Sequence, residues 1–218
     1  DGITIAVHEA NLANYSSMTL KASGSKNMSC DLIPWSDGVK VKAKGALNSP
    51  WRTIIVGDNP SEIVMSTLTL NLNEPNKLED TSWIQPGKYI GLWWEMIGTN
   101  QSSWGSGPHH GAKTERVLDY LEFGSKYGFD GVLVEGWNLG WDENWCCTGD
   151  GEDFRFYDPH PEFDNKKVAQ VAEDLGIRLV GHHETGTQIA NYESQMEKAF
   201  EYCKEHGIRV VKTGYVND

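Results

Sequence analysis

The sequence predicts a two-part chain, with all-β structure first and then an α/β array built on four parallel strands. Three observations lead there. Up to about Asn73, β-branched segments alternate with clusters of Gly, Asn, Asp and Pro. After Gly87 a helix–glycine–strand unit recurs along the chain. The strands of those units are apolar nearly throughout, as strands covered by helices on both faces are.

In chain order, "ITIAVHEA", "WRTIIVGD" and "IVMSTLTLNL" predict strands of the first part. The polar stretch "NEPNKLEDTSWIQPG" carries two prolines and reads as a linker, which puts the division at 1–78 and 79–218. The second part opens with strand "KYIGLWW" and a Gly/Ser/His loop, followed by helix "AKTERVLDYLEFGSKYG". Strand "DGVLVEGW" and a long loop, Asn138 to Asp164, come next. Helix "NKKVAQVAEDLG" then leads into "IRLVGHHE", and helix "NYESQMEKAFEYCKEHG" into "IRVVKTG". Apolar residues recur at helical spacing: Val117, Tyr120, Leu121; Val168, Val171, Ala172, Leu175; Met196, Ala199, Phe200, Cys203. Gly128, Gly176 and Gly207 stand where helix C-caps belong. Four such strands make either an open sheet or the first half of a (β/α)8 barrel. The ends "DGITIAVHEA" and "RVVKTGYVND" read as cut from a longer protein, which favours the half-barrel.

Composition narrows the function. With 39% hydrophobic and 23% charged residues the chain of 218 is globular. A net charge of -12 without basic clusters excludes a nucleic-acid partner. No apolar run of about 18 residues is present to span a membrane. Nine tryptophans, many in Gly-rich loops, suit sugar platforms as well as a core. Cys30, Cys146, Cys147 and Cys203 have neither metal nor disulfide-framework spacing, and Cys203 reads as core.

All four predicted strands end in polar or aromatic residues: Trp93–Trp94–Glu95, Glu135–Gly136–Trp137–Asn138, His182–His183–Glu184 and Lys212–Thr213–Gly214–Tyr215. In βα barrels the active site lies at those ends. Strand alternation puts His182 and Glu184 on one face and leaves His183 as a structural histidine behind the sheet. Glu135 and Glu184 close successive strands, and glycoside hydrolysis uses carboxyl groups paired across a sugar. Against this, Glu135 could serve only as a salt-bridge partner of Lys212. The His pair lacks the spacing of a helical zinc motif. The acidic loop "DENWCCTGDGED" does not fit an EF-hand.

The segments "GKYIGLWWEMI", "HGAKTERV", "GFDGVLVEGWNLGWD", "HPEFD", "HHETG…NYE" and "VKTGYV" closely resemble glycoside hydrolase family 97, the α-glucosidases and α-galactosidases of polysaccharide-degrading bacteria. "VHEANLANYSSM" and "PWRTIIVGDNPSEIVMSTLTLNLNEP" resemble the end of that family's β-sandwich domain. The resemblance implies a β-sandwich portion over 1–78 and the first half of a catalytic (β/α)8 TIM barrel over 79–218. It implies that Glu184 is a catalytic base and that Glu135, His182 and Lys212 bind sugar. It further implies that Trp93, Trp94 and Trp137 line or support the pocket, and that Glu9 helps hold calcium. Retaining members carry an Asp nucleophile at or next to the glycine of "VKTGYV"; here Gly214 implies inversion on α-glucosides. The general acid and further calcium ligands are expected on later strands, so these residues alone should be inactive. A periplasmic or cell-surface location is implied as well. The alternatives are a retaining α-galactosidase, a non-catalytic carbohydrate-binding module, and, more remotely, a metal hydrolase using His182 and His183.

Overall fold

The structure, a computed structural model, describes residues 2–141 and 153–214. The chain divides into two compact units, Asp1–Trp83 and Ile84–Asp218. Cys146, Cys147, Tyr215 and most of the acidic "DENWCCTGDGED" loop lie outside the described residues.

The first unit is antiparallel. Strand β1 (Thr4–Ala10) pairs with β4 (Trp51–Gly57), Thr4 opposite Gly57 and Ala10 opposite Trp51. Strands β2 (Met18–Ser23) and β3 (Asn27–Leu32) form a hairpin, with Gly24 at φ 78° in its turn. That hairpin escaped the sequence reading. The expected strand "IVMSTLTLNL" is instead helical, as α1 (Pro60–Met65) and α2 (Leu68–Asn71). Capping explains the difference. Asn59 accepts from the backbone N–H of Ser61 and Glu62, Pro60 occupies the first turn, and Glu62 complements the helix dipole. These local terms outweigh the β preference of Ile63 and Val64.

In the second unit, β5 (Tyr89–Gly91), β6 (Gly131–Leu133), β7 (Arg178–Glu184) and β8 (Val210–Gly214) form one parallel sheet in that spatial order. Helix α4 (Thr114–Lys126) joins β5 to β6, α5 (Asn165–Asp174) joins β6 to β7, and α6 (Ile189–Glu205) joins β7 to β8. Gly128, Gly176 and Gly207, at φ 72°, 65° and 67°, end these helices as left-handed caps. The core joins Val117 and Leu121 of α4, Val168 and Ala172 of α5, Val132, Leu179 and Cys203, all buried. Each such aliphatic contributes about 1.5–3 kcal/mol of burial.

Two predicted strands are shorter than expected, and "DGVLVEGW" is strand only over Gly131–Leu133, so Glu135 and Trp137 lie beyond its end. After Gly91 the chain turns helical, so Trp93 and Trp94 open a short helix α3 (Trp93–Gly98) rather than ending β5. Antiparallel β-structure followed by the opening units of a parallel α/β array is thus present.

Candidate active site

The parallel register sets the site. His182 lies beside Lys212 and Glu184 beside Gly214, at the C-terminal ends of β7 and β8. Glu135 follows β6 by two residues. Glu135 is buried, yet its Oε1 lies 3.3 Å from Lys212 Nζ, and its Oε2 accepts the indole N–H of Trp104 at 3.2 Å. Burial pushes the Glu135 carboxyl up, against the opposing pull of Lys212 and Trp104. Glu135 is therefore Lys212's salt-bridge partner and a strand-end carboxylate at once.

His182 Nε2 is 3.7 Å from Glu135 Oε1, too far for a hydrogen bond. Burial first, then the Lys212 charge, hold this imidazole down to about 3, so it is neutral and the contact is not an ion pair. Its Nδ1 is buried without a hydrogen-bond partner among the described residues.

Glu184 is 2% exposed. Its Oε1 accepts the Gly186 N–H at 3.0 Å. Burial raises its pKa, and the neighbouring Glu135 charge raises it further. The approach to β8 is close: a Cβ added to Gly214 would lie 2.6 Å from Glu184 Oε2 and 3.5 Å from His182 Nε2. Glycine at 214 makes room for this carboxylate.

His183 points the other way, as alternation predicts. Its Nδ1 lies 3.1 Å from the Tyr192 hydroxyl and its Nε2 3.7 Å from Cys203 Sγ, among Phe156 and Phe200. Burial alone holds it down to about 4, and pushes the Cys203 thiol up to about 11. A thiol and an imidazole so placed are packing groups, not nucleophile and base.

The tryptophans divide. Trp93 and the exposed Trp94 meet edge-on, 4.8 Å between centroids, and line a cavity of about 680 Å³ that also reaches Glu135 and Lys212. Glu184 and His182 are not among its walls. Trp137 does not line the cavity. It is buried, stacks on Tyr202 at 5.5 Å, and donates its indole N–H to the His182 carbonyl at 2.8 Å. It supports β7 from behind. Glu95, expected at a strand end, sits on α3 and accepts from Arg116 and Tyr120 of α4.

Trp104 and Trp141, which the sequence reading did not single out, stack at 6.3 Å, and Trp141 stacks in turn on His182 at 5.9 Å. The only signal for them was the surplus of Trp in glycine-rich loops.

Glu9 lies in the first unit. Its Oε1 pairs with Arg52 Nη1 at 2.6 Å, and its Oε2 accepts the Met18 N–H at 2.8 Å. Among the described residues no group of three His, Cys, Asp or Glu side chains is arranged to hold a metal ion. A carboxylate already neutralised by a guanidinium is a poor start for a calcium site, which takes six to eight oxygens in all. The resemblance expects the further ligands outside these residues.

Comparison with known proteins shows the family. Residues 93–218 match the family Glycoside hydrolase 97, and residues 1–75 match Glycosyl-hydrolase 97 N-terminal. The chain belongs to glycoside hydrolase family 97. A family 97 enzyme from Pseudoalteromonas sp. strain K8, solved in complex with acarbose, is 48% identical with a TM-score of 0.91, over 100% of this chain and 32% of that one. A variant of that enzyme, solved in complex with panose, superposes equally well at TM-score 0.91 and 48% identity, with the same coverage of 100% and 32%. A retaining alpha-galactosidase of Bacteroides thetaiotaomicron is 22% identical over 100% of this chain and 33% of its own length. A probable retaining alpha-galactosidase of Streptomyces bingchenggensis is 31% identical over 50% of this chain and 15% of its own length. The chain therefore spans about a third of the length of relatives it matches throughout. No helix among the described residues of this family 97 chain is long and apolar enough to cross a membrane.

Proposed function

We propose that this chain carries the water-activating half of an exo-acting α-glucoside hydrolase that works with inversion, Glu184 serving as general base. The observation that carries the reading is the approach of Glu184 to Gly214. The volume a side chain at 214 would need is taken by the Glu184 carboxylate, 2.6 Å from the nearest Cβ position. The family resemblance puts the nucleophile of retaining members at or beside this glycine. Inversion needs a carboxylate set back far enough to admit water to the sugar face. A buried carboxyl with a raised pKa, one oxygen pinned by Gly186 N–H, is suited to take a proton from that water.

Glu135 and Lys212 form the ionic pair at which sugar hydroxyls would bind. The resemblance places His182 among the sugar-binding residues, and its neutral imidazole stands with Nε2 3.7 Å from Glu135 Oε1. Trp93 and Trp94 provide apolar wall for a sugar face. The preference for glucosides draws on the 48% identical structures with acarbose and panose, since panose is built of α-linked glucose. The names of the 22% and 31% identical relatives favour the second reading, a retaining α-galactosidase. The general acid belongs to later barrel strands, as the resemblance implies. A periplasmic or cell-surface setting is part of this reading and rests on that resemblance alone.

The anomer of the first-formed product decides the mechanism. Hydrolysis of panose by the full-length protein, followed by NMR, should release β-glucose first; initial release of the α-anomer would sink the inverting mechanism. Glu184→Gln should lower kcat at least about 10²-fold with little change in KM. Sugar binding without turnover by the unmodified protein would instead support a carbohydrate-binding role.

A further inference from the structure

Trp104 lies in the loop between α3 and α4, and three contacts hold it. The indole N–H donates to Glu135 Oε2 at 3.2 Å. The ring stacks on Trp141 with an interplanar angle of 11°, and Trp141 stacks on His182 at 27°. His110 Nδ1 lies 3.0 Å from the Trp104 carbonyl and 3.2 Å from that of Gly105. Carbonyls only accept, so Nδ1 carries the proton and His110 is the donor. His110 is itself 3% exposed and stacked on His160 at 3.9 Å, with the Ser106 hydroxyl 3.1 Å from His160 Nε2.

Two glycines admit this arrangement. Gly136 follows Glu135 at φ 78°, and a Cβ there would lie 3.2 Å from the Trp104 carbonyl. A Cβ on Gly105 would come within 2.5 Å of the Trp141 carbonyl. The loop is thus packed backbone-to-backbone against the residues that follow β6.

From this geometry we infer that Trp104 is a positioning residue: its indole N–H fixes the Glu135 carboxylate, while its ring, through Trp141, fixes the plane of His182. Glu135 Oε1 faces Lys212, and a carboxylate bonded through one oxygen alone can rotate about its terminal torsion. The second bond, from Trp104 to Oε2, removes that freedom before a sugar arrives, which lowers the cost of binding. Trp104 thereby joins into one rigid unit a residue that follows β6 and a residue of β7. The inference rests on the sugar-binding role proposed for Glu135.

The test separates the N–H from the ring. Trp104→Phe keeps an aromatic ring and removes the donor; replacement of Trp104 by benzothienylalanine keeps the bicyclic shape and removes only the N–H. The carboxyl titration of Glu135, followed by ¹³C NMR, should move up by about one unit in both variants. The titratable and charged groups around this carboxyl are Lys212 of β8, the neutral His182 and Glu184 of β7, and, in the wall of the same cavity, Arg116 and Asp119 of α4. All of them are retained in both variants. Panose affinity of the full-length protein should fall about tenfold in both. An unmoved titration in the benzothienylalanine protein would overturn the inference, as would a moved titration with unchanged panose affinity. Failure of the unmodified protein to bind panose would instead remove the glycosidase reading, and the titration alone would then decide the role of Trp104.

Discussion

Two adjacent histidines show how one strand serves two environments. His182 and His183 alternate across β7, one toward the carboxylates and one into the aromatic packing of α6. Both stay neutral in the folded state, held to about 3 and about 4, whereas in the unfolded chain an imidazole titrates near its ordinary 6.5. Below that value the unfolded chain takes up protons the native state refuses, so stability falls as pH drops from about 6.5 toward 4. Glu135 and Glu184 act in the opposite sense: their raised pKa values favour the native state at low pH, and that contribution fades as pH rises through them. His183 stands away from those carboxylates and isolates the first effect. In urea unfolding across this range, His183→Gln should flatten the pH slope by about 1.4 kcal/mol per pH unit. An unchanged slope would mean that His183 is protonated in the native state. At this scale the sequence was legible where periodicity assigns a direction, as for His182, His183 and Glu184. It was silent on Trp104 and Trp141, whose loops carry no period from which a direction can be read.

At the scale of elements, the α/β half was legible because α4, α5 and α6 each carry an apolar stripe and stop at a glycine, although only α5 has a side-chain cap at its start. Asp164 caps α5, its Oδ1 accepting the Lys167 N–H at 3.1 Å, and Gly176 ends the same unit. Asp164→Ala should cost about 1 kcal/mol and lower Tm by roughly 2–4 °C. A calorimetric scan showing no change would mean that the cap is redundant with the packing of Val168 and Ala172. Elements were misread where apolar content and local capping disagreed. "IVMSTLTLNL" has the composition of a strand, but Asn59 and Pro60 begin a helix in front of it. "KYIGLWW" reads as one apolar run, yet the backbone turns helical at Trp93, where Glu95 is clamped by Arg116. No single residue of that run announces the change. A contact with a helix some twenty residues on accompanies it.

At the scale of the molecule, each half follows its own hydrogen-bonding logic, antiparallel in Asp1–Trp83 and parallel in Ile84–Asp218. The net charge of -12 disfavours polyanionic partners. It also offers many carboxylates to a divalent cation, but number is not arrangement. Glu9 is already paired with Arg52, and no three His, Cys, Asp or Glu side chains are arranged to hold a metal ion among the described residues. Calcium at about 1 mM should therefore leave the Tm of this chain unmoved, because ligand stabilisation requires a site formed in the native state. A rise of several degrees would show that the chain assembles a site around Glu9 or elsewhere.

The contact between Glu184 and Gly214 bears on how such a mechanism can change over time. One small volume at the ends of two neighbouring strands serves one carboxylate, and the backbone of the other strand must yield to it. Placing an acid at 214 while Glu184 remains would set two carboxyl groups in the same space, with like charges and overlapping atoms. On the inverting mechanism proposed above, shortening Glu184 alone would leave neither base nor nucleophile. On that proposal each single step is a loss, and the two positions are expected to change together. A contact of a few ångströms acts as a lock with two keys.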